Sequence, residues 1–425
     1  MALCSVVARG LGRAQIAPLL VRRNFSRWNS RYGWQRGRWG GQTNSRRPSS
    51  SPDVPFVVTS LSLGSFFSSG GKNSAQSSLS KPASLPDTMP VELSRVMLPD
   101  DTNPMGNVHG GTILKLIEHA GVIVSTRHCN SAGDRSKGPF ITALARVEHM
   151  DFYQPMYVGE VAQVHAAVTY TSPHSCEVTA EVWAENVLTG DRRRTNRAML
   201  WYVAFPTNGN SALKPVAVPQ LEGLTAGEAS EGLKRYKAQK ASRASASDSM
   251  QGLTHPNIYQ PLSDAPEHTV QSSQTTLATL VLPSDCVRGN YLMGGPLMKM
   301  MDSAAGICAA RHSRSPVVTA CINAIDFHGP VRNGEAIFCT ARLVFCSEKS
   351  MMVEIITEAE GLASGSRRVV NTAYFTFVSI GFDRKAHEVP PLILTSDEDH
   401  QRFKEGKARY EERKKARMLE KSSKK

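Results

Sequence analysis

The 425-residue chain contains eight cysteines but no Cys-x-x-Cys pair and no regular cysteine spacing. That argues against a zinc site and against a secreted disulfide framework, and it leaves buried thiols among apolar neighbours. No run approaches 18 uncharged apolar residues, so the sequence predicts no transmembrane segment. A Gly-x-Ser-x-Gly elbow in a strand–turn–helix setting is also missing, which removes a serine-triad hydrolase. Acid is missing from residues 1–52, which hold ten arginines, and the first acidic side chain is Asp53. The net charge of +13 is therefore local. Without that stretch about +3 remains, which is no argument for a nucleic-acid partner. An Arg-rich, acid-free start with Leu3, Val6, Val7, Leu11 and Leu19 to Val21 predicts a mitochondrial transit peptide, with a cytoplasmic protein as the alternative.

What the chain does have is a duplication. Pro99-Asp100-Asp101, Gly110-Gly111, Glu118 and Arg127-His128 recur 184 positions later as Pro283-Ser284-Asp285, Gly294-Gly295, Asp302 and Arg311-His312. The match resumes at an offset of 175, where Asp151-Phe152, Gly159-Glu160, Ser175 and Asn196 meet Asp326-Phe327, Gly334-Glu335, Ser350 and Asn371. A third block, Glu231-Gly232 with Arg235-Tyr236, returns as Glu405-Gly406 with Arg409-Tyr410. The repeat has the length of a domain and is too long for a solenoid.

Within each copy the pattern reads as one short strand, one long apolar helix and a meander of strands. In the first, Ile113, Ile117, Ala120 and Val124 share one helix face. This order predicts an α+β double hotdog: two tandem hotdog domains, each a central helix wrapped by an antiparallel sheet. Pairing side by side closes the open sheet edges. The expected divisions are residues 1–90 as transit peptide and disordered spacer, 91–206 as the first hotdog domain and 207–267 as a linker with a basic helix. Residues 268–384 form the second hotdog domain and 385–425 a second basic helix and tail. Glu228–Ala244 reads as helical, and Ser242–Met250 reads as a flexible linker.

Chemistry points to the helix entrances. Gly110 and Gly111 open an apolar helix, where free N–H groups and the helix dipole favour the oxyanion of an attacked carbonyl. Asp302 lies in the most apolar helix of its copy, where a bare carboxylate is costly unless paired or functional. Its counterpart is Glu118. Asn107 faces Tyr291 across the repeat, and His109 faces Met293. If each site joins one domain's entrance to the other domain's acid, Asn107 with Asp302 is competent and Tyr291 with Glu118 is a degraded second site.

The run Pro-Asp-Asp-x-Asn, Gly-Asn-Val-His-Gly-Gly-Thr-Ile-Leu-Lys and Ser-Thr-Arg-His-Cys-Asn resembles the tandem-hotdog acyl-CoA thioesterases, and the resemblance covers about Leu93 to Arg413. It implies hydrolysis of long-chain acyl-CoA to fatty acid and coenzyme A, with Asp302 as general base and Asn107 orienting water or carbonyl. Gly110 and Gly111 would supply oxyanion donors. Coenzyme A contacts would come from Ala143, Leu144, Ala145, Ala320, Cys321 and Ile322, and from the turns at His174, Ser175, Cys176 and Lys349, Ser350, Met351. Arg235, and by repetition Arg409, would neutralise phosphate. The resemblance requires no metal and no cofactor beyond the substrate's own coenzyme A, and it implies a homo-oligomer, a trimer of two-domain chains. Two other readings stand beside it. One is an enoyl-CoA hydratase-like enzyme, although Gly106 occupies the place of its catalytic His. The other is a non-catalytic acyl-CoA sensor or scaffold.

Overall fold

A computed structural model describes residues 90–131, 139–207, 214–250, 265–287, 290–381 and 384–422. The described residues all lie within the unit Leu79–Lys425. The expected transit peptide lies outside the described residues.

In chain order the first half comprises β1 (Val91–Val96), α1 (Gly110–Cys129), β2 (Phe140–Phe152), β3 (Val161–Thr171), β4 (Ser175–Glu185) and β5 (Arg192–Pro206). Helix α2 (Ala226–Met250) follows, then the short α3 (Val270–Ser273). The second half repeats the plan with β6 (Thr275–Leu280), β7 (Cys286–Val287), β8 (Tyr291–Leu292), α4 (Gly294–Ser313) and β9 (Val317–Phe327). It ends with β10 (Ala336–Cys346), β11 (Ser350–Gly361), β12 (Ser366–Ser379) and α5 (Asp397–Ser422). The segment expected to be a flexible linker is the last third of α2. Ala241, Ala244 and Ala246 are strong helix formers, and no Gly or Pro interrupts them before Met250.

Ten strands form one antiparallel sheet in the order β1-β3-β4-β5-β2-β9-β12-β11-β10-β6. The two halves join at β2 and β9, where Arg146 pairs with Asp326 and Asp151 with Cys321. Each half thereby loses one open edge, leaving β1 and β6 as the outer strands. Helices α1 and α4 pack against the strands of their own halves and on each other. Ile113, Ile117, Ala120 and Val124 are all buried, and each large side chain among them contributes about 2 kcal/mol. The helix pair meets through its first turns. A Cβ on Gly111 would lie 2.6 Å from the Lys299 Cα, and one on Gly295 would lie 3.1 Å from the Lys115 Cα. The Gly-Gly pairs are therefore packing devices as well as helix starts.

The third repeated block docks the two basic helices on the outer face. A Cβ on Gly232 would overlap the Tyr170 ring, and one on Gly406 would sit 2.9 Å from the Phe345 Cβ. Tyr170 and Phe345 are themselves repeat partners at offset 175. Arg235 donates to both oxygens of Glu177 at 2.6 and 2.7 Å, and Tyr236 stacks beside Trp201. Both helices then reach the seam between the halves. Ser242 of α2 accepts from Arg146 at 3.1 Å. On α5, Arg413 donates to Asn323 of β9 at 2.6 Å and to Asp151 of β2, which Arg417 also reaches at 3.2 Å.

Candidate active site

The loop before α1 is built by Asn103. Its Oδ1 accepts from the N–H groups of Met105 (2.9 Å) and Asn107 (3.2 Å), and its own N–H donates to the Asn107 carbonyl at 2.7 Å. The ring leaves the Asn103 amide with one fixed orientation, and its Nδ2 protons have no protein partner among the described residues. Asn107 bridges Tyr157 through its backbone, and its side-chain amide is likewise unpaired among the described residues. His109 caps α1, its Nδ1 lying 3.0 Å from the Gly111 nitrogen.

Against this helix start stands Asp302, from the middle of α4 and only 2% exposed. Its Oδ2 accepts from the Gly111 N–H at 2.8 Å, and its Oδ1 accepts from the Thr319 hydroxyl at 2.7 Å. His109 Nδ1 lies 3.0 Å from Oδ2. The Gly111 N–H lies within hydrogen-bond distance of both acceptors. Burial pushes the Asp302 carboxyl above the usual carboxylate range, against the opposing pull of His109, the Thr319 hydroxyl and the Gly111 amide. A Cβ on Gly110 would meet Asp302 Oδ2 at 2.9 Å, Thr319 Oγ1 at 3.0 Å and Phe152 Cζ at 3.3 Å. These three side chains thus converge above Gly110.

The pseudo-twofold axis generates a second assembly. Glu118 is 2% exposed and lies at the Gly294-Gly295 start of α4. Its pKa rises to about 7 through burial, despite the amides of Gly294 and Gly295 and the nearby Lys115. Where Thr319 and Phe152 border Gly110, Leu144 and Phe327 border Gly294. Leu144 and Thr319 are repeat partners at offset 175, so the hydroxyl that holds Asp302 is a hydrocarbon in the other site. Asn103, Asn107 and His109 are matched there by Val287, Tyr291 and Met293.

Several expected roles change. Gly111's N–H is engaged by Asp302, because the carboxylate reaches the helix start. Gly110's N–H is the one without a protein partner among the described residues. Within the expected coenzyme A set, Cys176, Cys321, Ile322 and Met351 are at most 1% exposed and belong to the core, and Leu144 packs over Gly294. The Ser175 and Ser350 hydroxyls each bond the serine three residues earlier, Ser172 and Ser347, at 2.6 Å. Arg235 is committed to Glu177, and Arg409 stacks over Tyr374 at 4.3 Å. Still at the surface are Ala143, His174 and Lys349, with Ala145, Ala320 and Ser350 half-buried. Asn103, His109 and Thr319 were not picked out as site residues from the sequence. The pairing of Thr319 with Leu144 follows from the offset of 175, but nothing in the sequence places the Thr319 hydroxyl beside Asp302.

Two hotdog domains whose helix entrances each face the other domain's acid define the thioesterase class, and the thioesterase superfamily model matches residues 105–190 and 289–364. The rat cytosolic acyl coenzyme A thioester hydrolase is 45% identical over 323 residues, covering 75% of this chain and 82% of that protein. The human protein of the same name is 44% identical over 331 residues, covering 77% and 84%. The chain belongs to this family of acyl coenzyme A thioester hydrolases. Among solved structures, an acyl-CoA hydrolase from Staphylococcus aureus, in complex with butyryl coenzyme A, coenzyme A and coenzyme A disulfide, is 25% identical. It covers 37% of this chain and 96% of its own, with a TM-score of 0.35.

Proposed function

We propose that the chain hydrolyses acyl-CoA thioesters to a free fatty acid and coenzyme A at the single site formed by α1 of the first domain and Asp302 of the second. The observation that carries this reading is the buried Asp302 carboxyl, held by Thr319, Gly111 and His109 beside the free Gly110 N–H. Water bound near Asp302 loses a proton to the carboxylate as its oxygen adds to the thioester carbon. Negative charge develops on the carbonyl oxygen and is met by the Gly110 N–H and the positive end of α1. Collapse of the intermediate expels the coenzyme A thiolate. His109, whose side chain is 22% exposed, carries the proton between the buried carboxyl and solvent. No metal and no cofactor beyond the substrate's own coenzyme A enters this scheme.

An amide donor is needed to orient water or carbonyl, and both asparagines of the entrance loop qualify. Asn103 is the better organised, since both its Oδ1 contacts are made within the loop and its Nδ2 direction is fixed before substrate arrives. We assign it the larger part and Asn107 a supporting one. Release of coenzyme A thiol from palmitoyl-CoA, followed with a thiol reagent, tests both the reaction and the assignment. Asn103→Ala is expected to lower kcat by about 100-fold and Asn107→Ala by about 10-fold. The reverse order would return the role to Asn107, and no turnover in the unaltered chain would leave the acyl-CoA sensor.

The substrate's long acyl chain and a trimeric assembly belong to the same proposal. The exposed side chains Val96 and Leu98 beside β1, and Leu280 and Leu282 beside β6, are repeat partners on the two open edges. They supply apolar surface for contact between copies. Light scattering is expected to give three times the chain mass, and a monomer at micromolar concentration would refute the assembly. For compartment, the relatives are named cytosolic, which supports the cytoplasmic alternative. The mitochondrial reading rests on residues 1–52 alone, outside the described residues.

A further inference from the structure

We propose that Cys129 and Cys176 are an oxidation site, forming a reversible disulfide within the first hotdog domain. Their Sγ atoms are 3.7 Å apart, in direct contact and facing each other. Cys129 is the last residue of α1 and Cys176 the second residue of β4. A disulfide has an S–S length of about 2.05 Å, so small side-chain rotations have to close a gap of about 1.7 Å. The second copy shows that the fold does not need this pair. At the repeat offsets of 184 and 175, Ser313 stands for Cys129 and Met351 for Cys176. The same helix and strand form there without two thiols.

Both thiols are buried, at 3% and 0% exposure. The Cys129 contact and burial push the Cys176 thiol up, so the pair is quiet at rest, and Cys129, at the end of α1, is the sulfur that opening of the helix end exposes first. With a low-molecular-weight disulfide as oxidant, Cys129 loses its proton and forms a mixed disulfide, expelling one small thiol. Cys176 then attacks the Cys129 sulfur, loses its proton and expels the second. Two electrons pass to the small disulfide, which leaves as two thiols. Access requires opening at the end of α1, which makes the reaction slow. Its product ties that helix end to the strand following the Ser172–Ser175 turn.

The test treats the full chain with oxidised glutathione and reads intact mass, then maps peptides without reduction. The expected product is about 2 Da lighter, contains one Cys129–Cys176 peptide and melts at a higher Tm that reverts with dithiothreitol. Cys129→Ser, the residue of the second copy, is expected to remove the link. Three results would overturn the proposal: both cysteines recovered as alkylatable thiols after denaturation, a stable glutathione adduct without ring closure, or a link between Cys308 and Cys346 instead. Peptide mapping of the unaltered chain decides even if the variant folds poorly, and the readout is independent of thioester hydrolysis.

Discussion

Asp302→Asn is expected to lower palmitoyl-CoA turnover by about 1000-fold while leaving the chain folded. Asparagine has the shape of the carboxyl. Its Oδ1 can still accept from one of the two donors, the Gly111 N–H or the Thr319 hydroxyl, that now meet the two carboxyl oxygens. What it cannot do is take a proton from water. The pH dependence separates this from a structural loss. Burial raises the carboxyl's pKa, so the active, ionised form is gained as pH rises, and kcat/KM should climb through a midpoint above the usual carboxylate range. The residual rate of the variant should lack that rise. Circular dichroism and Tm should be unchanged or slightly improved, because a buried charge has been removed. Retention of more than a tenth of the wild-type rate would rule out Asp302 as the base.

The duplication made the fold legible, since a helix-then-meander order written twice leaves few packings other than paired hotdogs. It also made the asymmetry legible at Asn107 against Tyr291. Contacts across the repeat were not legible. That Thr319 reaches Asp302 depends on the register of β9 after a loop of different length, and register shifts in both β2 and β9 interrupt the strand pairing. Nor could the sequence say that Gly111's N–H is already occupied, because a carboxylate 191 positions away supplies the acceptor. The basic helices misled in a similar way. Their cations suggested phosphate binding, while their burial against Glu177, Tyr374 and Asp151 depends on Gly232 and Gly406 letting the helices approach the sheet.

Glu118→Gln is expected to stabilise the chain at alkaline pH by up to about 3 kcal/mol and to leave turnover intact. The group sits at the pseudo-site with its Oε2 buried and without a hydrogen-bond partner among the described residues. Its folded pKa of about 7 lies above the ordinary value of 4.5. Below 4.5 the carboxyl is neutral in both states and ionisation costs nothing. Between the two values the unfolded chain releases a proton that the folded chain retains, so stability falls as pH rises. Above 7 the folded carboxyl ionises too, and the cost reaches its plateau, where a shift of this size is worth about 3 kcal/mol. Glutamine abolishes this dependence but brings its own pH-independent cost, because it buries an amide where the carboxyl stood. Urea unfolding at pH 5 and pH 8 isolates the electrostatic part, since the amide's cost cancels in the difference. The variant should gain most of the 3 kcal/mol on the wild type between the two pH values, in the direction opposite to a carboxylate held by cations. A difference that does not change with pH would mean that Glu118 is solvated or paired. A loss of turnover comparable to that of Asp302→Asn would mean that the second entrance is a working site, despite Leu144, Tyr291 and Met293.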